Sequence, residues 1–133
     1  MKASILTLCD YAKEYNGQMS IMGTFNVLQS IIFPAGINFC LASQFIVPIN
    51  EAGEKKLSVS IRNKKTNIYL MPPQEFIINV NAPQKLNLEM DLVSNLILNF
   101  GNIQIPSEGT YIVELIGDSF KGEVEFYAVL ATP

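Results

Sequence analysis

The residue types that most often carry enzymatic chemistry are either missing from this chain or isolated in it. There is no histidine, which removes the commonest general base and metal ligand, and with it the Ser-His-Asp and Cys-His arrangements. The two cysteines, Cys9 and Cys40, lack the paired spacing of a zinc or redox centre. Each reads as a small buried apolar residue. A disulfide between them requires adjoining strands, and sequence does not place their Cα atoms. Asp10, Asp91, Glu114, Asp118, Glu123 and Glu125 are the carboxylates from which a glycosidase pair would be drawn. No spacing singles out two of them, and Glu123 and Glu125 alternate toward what should be a solvent face. For a metal, the best reading is calcium on loop carboxylates at Gly117-Asp118-Ser119, although one Asp beside a glycine is also what an ordinary turn requires. Asp10 reads as a cap for the turn after the first strand or, second, as a surface contact.

Sugar binding by stacking has Tyr11, Tyr15, Tyr69 and Tyr127 as platforms but no tryptophan. Alternating Tyr in strands more often packs its ring in or near the core, with the hydroxyl in water. No glycine-rich phosphate loop occurs. The expectation is a chain that is not an enzyme and has no catalytic, cofactor-binding or metal residues. Asp10, Tyr11, Tyr15 and Asp118 remain as surface or loop candidates.

The elements that must position these residues follow from composition and periodicity. A length of 133 residues suits one domain spanning 1–133 with one core. The chain is 49% apolar and 16% charged, against about 25% charged in ordinary soluble proteins. A surface built from neutral polar groups repels its neighbours weakly, which favours homo-oligomers. The net charge of −3 offers no footprint for nucleic acid, and Arg62, Lys64 and Lys65 read as a solvated turn. The apolar run from Ile5 is ended by Asp10 before it reaches the length of an export signal, and bulky Leu8 before Cys9 argues against a lipoprotein site. No stretch is long and apolar enough for a membrane helix, so the expected setting is the cytoplasm.

Period-two alternation marks strands. Phe39, Leu41, Phe45 and Val47 share one face, as do Leu57, Val59 and Ile61, and the hydrophilic Asn50–Glu54 between them predicts a hairpin turning at Gly53. Tyr111, Val113 and Leu115 form a third set, and Val124, Phe126, Ala128 and Leu130 a fourth. Asn16-Gly17 predicts a reversal into a strand where Ile21, Gly23 and Phe25 share a face. Phe33-Pro34 and Met71-Pro72-Pro73 predict breaks. The parity slip from Phe100 to Ile103 predicts a β-bulge at Gly101, and Pro106–Gly109 a turn into the Tyr111 strand. Residues 84–100 fit either two strands broken near Ser94-Asn95, the reading preferred here, or a helix. The sum is an all-β, antiparallel β-sandwich, immunoglobulin-like or related, of about 7–9 strands.

The order of these signals also carries a resemblance. Leu8-Cys9-Asp10-Tyr11-Ala12, a glycine turn, Ile21-Met22-Gly23-Thr24-Phe25-Asn26 and Phe33-Pro34 come first, then Phe100 to Ile105, Gly109-Thr110-Tyr111 and Gly117-Asp118. The chain resembles, over nearly its whole length, a family of small bacterial proteins with a domain of unknown function and a β-sandwich fold. The resemblance implies the fold and supplies no activity or binding residues. The functional expectation is a non-catalytic interaction or structural module that associates with itself or another protein. A small-ligand domain for carbohydrate or calcium is the alternative.

Overall fold

A computed structural model describes residues 1–82 and 91–131 of the chain. Among the described residues nine strands form two sheets. They are β1 (Lys2–Tyr15), β2 (Gln18–Thr24), β3 (Val27–Ser30), β4 (Ala35–Pro48), β5 (Gly53–Asn63), β6 (Tyr69–Val80), β7 (Asp91–Ile105), β8 (Gly109–Gly117) and β9 (Phe120–Leu130). Sheet A has the order β2-β1-β4-β7, and sheet B the order β3-β9-β8-β5-β6. Among the described residues every pairing is antiparallel except β3 with β9, which is parallel.

The predicted faces meet between the sheets, except that Leu130 at the end of β9 is exposed. Leu8, Phe39, Leu41, Phe45 and Val47 of sheet A are buried against Leu57, Val59, Ile61, Val113, Leu115, Phe126 and Ala128 of sheet B. Phe39 lies at the centre, with ring centroids 5.9 Å from Phe25, 5.0 Å from Phe100 and 5.9 Å from Phe126. Tyr111 is fully buried and stacks on Phe126 at 5.5 Å. Its hydroxyl donates to the Ser107 carbonyl at 2.7 Å, four residues upstream. This tyrosine corner ties the loop entering β8 to the core, as in other sandwiches. Tyr111→Phe is expected to lower the unfolding free energy by about 1 kcal/mol, read as a shifted denaturant midpoint. No change would mean that the bond contributes nothing net.

Several local predictions hold. Asn16 and Gly17 both take positive φ (51° and 76°) in the two-residue turn between β1 and β2, as a type I′ turn requires. Gly53 has φ 125°. The bulge is present: Ile37 pairs with Ile103 and Phe39 with Phe100, so Gly101 and Asn102 face the single Asn38. Asn102 rather than Gly101 takes the left-handed conformation (φ 51°), and its N–H is held by the Asn38 side chain at 2.7 Å.

Others are corrected. β4 and β5 do not form a hairpin. After β4 a 3₁₀ turn, Ile49–Glu51, carries the chain across to sheet B. The Pro106–Gly109 turn likewise leads into β8 but passes from sheet A to sheet B. Hydrophilic residues with a glycine signal a change of direction, not which sheet receives the next strand. Met71-Pro72-Pro73 does not end a strand, because β6 runs through it with a bulge between the pairs Val59–Gln74 and Ile61–Met71. β6 is an edge strand, where proline's missing N–H costs no ladder bond. β7 passes unbroken through Ser94-Asn95, which removes both the predicted break there and the helix over 91–100. The part of that reading on 84–90 lies outside the described residues. No helix among the described residues is long and apolar enough to cross a membrane.

Candidate interaction surface

Sheet B turns a charged outer face to water. Arg62 Nη1 reaches Glu114 Oε2 at 3.3 Å, with Lys121 4.0 Å from the same oxygen. Lys64 meets Glu125 at 2.7 Å and Lys56 meets Glu75 at 3.2 Å. The hydrogen bond from Lys64 to Glu125, and then the carboxylate's charge, hold the lysine above its usual pKa. Glu123 pairs directly with Glu114 across β9 and β8, and Glu114, though on the outer face, is buried and ion-paired with Arg62. Arg62 is part of this ladder in β5, not of a solvated turn; Lys64 and Lys65 do lie in the turn.

Sheet A solves its outer face differently. On β4 the residues of opposite parity to Phe39 and Leu41 include Cys40 and Ala42, and both are buried. They form a second small cluster with Cys9 and Ala12, against which Met19, Ile21 and Ile97 pack. Ala12, Met19 and Ile21 belong to the hairpin of β1 and β2, whereas Ile97 belongs to β7, on the far side of β4. The hairpin therefore folds back across sheet A. Its tip confirms this, since Asn95 Nδ2 of β7 donates to the Gly17 carbonyl at 3.1 Å. β1 leaves β4 after the Cys9–Cys40 pair, and the strong twist of a two-stranded ribbon turns Ala12 onto the sheet.

Gly23 makes the fold-back possible. It has φ 69°, and a Cβ there would collide with the Asp10 carboxylate. Asp10 thus sits at the bend of the arm and does not cap a turn, which corrects the predicted role. The same bend separates Ile21, packed under the arm, from Phe25, packed in the main core, so these two do not serve one face.

The upper face of the arm has no cover among the described residues. Tyr11 and Met22 are directly opposed across its two strands, as are Tyr15 and Gln18. Tyr11, Met22 and Tyr15 are 51%, 65% and 73% exposed. Two of the predicted surface residues, Tyr11 and Tyr15, thus share this face with Met22, which sequence reasoning passed over; Asp10 stands at the base of the arm. Asp118 is remote, in the turn between β8 and β9. Tyr69 and Tyr127 are exposed too, so packing of these four rings in the core is not found and only Tyr111 is buried. A second apolar exposure, Ile31 at 81% and Ile32 at 67%, lies in the loop between β3 and β4.

Ligand chemistry has less to work with. An open cleft of about 640 Å³ is framed by Asn63–Thr66 and Ser107–Thr110 and contains neither a tyrosine nor a carboxylate pair. Among the described residues no three His, Cys, Asp or Glu side chains are grouped to hold a metal. No curated protein and no solved structure matches the chain. Residues 4–129 match a family described as of unknown function, and at that coverage the chain belongs to it: DUF6941.

Proposed function

We propose that this protein is a non-catalytic interaction module that associates with a second copy of itself through the upper face of the arm. The observation that carries the reading is the arm's construction. Its lower face is fixed on Cys40, Ala42 and Ile97 and its tip on Asn95, so Tyr11, Tyr15 and Met22 are presented on a rigid two-stranded platform. Rigid aromatic side chains give large contact area at low entropic cost, and both aromatic and Met side chains are enriched in interfaces. β2 also pairs only with β1 among the described residues, leaving its other edge able to add a strand. By contrast, the ion-paired face of sheet B resists apolar docking. The proposed setting is the cytoplasm, where thiols such as those of Cys9 and Cys40 are kept reduced.

Sedimentation velocity over a wide concentration range tests the reading. A reversible dimer is expected, weakened at least tenfold, or about 1.4 kcal/mol, by Tyr15→Ser with Met22→Ser. Those side chains are exposed, so the fold should tolerate the change. A strict monomer at every concentration overturns the proposal. So does a dimer lost on Ile31→Ser with Ile32→Ser but not on the arm variant.

A further inference from the structure

Cys9 and Cys40 face each other as direct partners in the β1–β4 ladder, at the last pair before the arm departs. Opposed residues of an antiparallel pair have Cα atoms about 4.5–5.5 Å apart, within the roughly 4.4–6.8 Å that a disulfide spans. Both thiols are free. Their surroundings differ. Cys9 is 0% exposed, whereas Cys40 is 6% exposed and lines a cleft of about 260 Å³ between the arm and sheet A, beside Asp10, Tyr11, Asn38 and Asn99. The Cys40 thiol donates to Asn99 Oδ1 at 2.9 Å. Burial, and next the neighbouring Cys40, push the Cys9 thiol above its ordinary pKa. Cys40 is thus the thiol that a small oxidant entering the cleft meets first, and Cys9, opposed to it, is placed to attack a sulfur already oxidised beside it.

We propose that the pair is an oxidative modification site, in which a small peroxide entering the cleft oxidises Cys40 and Cys9 resolves it to an intramolecular disulfide. In the first step the Cys40 sulfur, losing its proton, attacks one oxygen of hydrogen peroxide. The O–O bond breaks, water leaves and Cys40 becomes a sulfenic acid. In the second, the Cys9 sulfur attacks the Cys40 sulfur, the S–O bond breaks and a second water leaves with the Cys9 proton. Two thiols and one peroxide give one disulfide and two waters, so the two electrons lost by sulfur are those gained by the peroxide. Closing the bond draws the Cys40 sulfur from Asn99 Oδ1 and from the Asp10 carbonyl, 3.7 Å away at the base of the arm. The site does not depend on what the arm binds.

The reduced full chain, treated with hydrogen peroxide under native conditions, alkylated and analysed by intact mass and peptide mapping, tests this. The expected result is loss of two hydrogens per chain, a linked Cys9–Cys40 peptide, and recovery of both thiols with dithiothreitol. Cys9→Ala should stop at a Cys40 sulfenic acid that dimedone traps, and Cys40→Ala should leave Cys9 unreacted at the same dose. Since either variant disturbs a tight cluster, the linked peptide from the unmutated chain is decisive. Chains joined only to one another, or two thiols still alkylated after later unfolding, would overturn the proposal.

Discussion

Phe39→Ala lowers the unfolding free energy by about 3–5 kcal/mol, the cost of truncating a buried aromatic whose cavity cannot close. The rings around it are held from elsewhere. Phe126, on the opposing sheet, is stacked on Tyr111, and Tyr111 is fixed through its hydroxyl to Ser107. Phe25 follows the arm and is tied by its N–H to the Leu8 carbonyl at 3.1 Å. Phe100 is the residue paired with Phe39 just before the bulge. These links fix the backbones around the ring, so the void closes only in part and the loss falls toward the upper end. Chemical denaturation should show a lower midpoint at unchanged slope. A loss below about 1 kcal/mol would mean that the rings do refill the space.

Ala42→Asp detaches the arm. Ala42 is fully buried on the outer face of β4, within the apolar cluster beneath the hairpin. An uncompensated buried charge costs about 3–5 kcal/mol, and the chain has a cheaper response than global unfolding. The arm rests on the sheet through Ala12, Met19 and Ile21, with one side-chain hydrogen bond at its tip. Lifting this small contact returns the carboxylate to water. Amide exchange should therefore lose protection over residues 10–22 while β4, β5 and β8 keep theirs. If protection fell equally through both sheets, the arm and sandwich would be one cooperative unit.

Much of the sandwich was legible because strand parity reports burial directly. Leu57, Val59 and Ile61 alternate with Ser58, Ser60 and Arg62, and only one such face can meet a core. The bulge was legible for the same reason, since an inserted residue shifts every later side chain to the other face. What local sequence does not encode is the destination of a strand, as the false β4–β5 hairpin shows. Asn95 misled in an instructive way. It looks like an interruption of an apolar run, yet its amide donates to Gly17, and its Oδ1 accepts from Gln44 Nε2 at 3.0 Å. The polar residue is a docking point for a segment 78 residues away. The candidate surface was half visible: Tyr11 and Tyr15 stood out by type. The buried run Leu8-Cys9 followed by exposed Asp10-Tyr11 breaks alternation, but that signal appears only once burial is known. The opposition of Cys9 and Cys40 depends on β1 pairing with β4, which no spacing rule supplies.

The arm on sheet A also sets a threshold for anything else that would lie there. Because it is covalently attached, it presents itself to the sheet at an effective concentration on the order of millimolar. A free strand or peptide seeking the stripe of Cys40, Ala42 and Ile97 must outcompete an occupant that never diffuses away. Its apparent affinity is reduced by the small fraction of time the arm is lifted. Any change that loosens the seating of the arm on Cys40, Ala42 and Ile97 lowers that threshold.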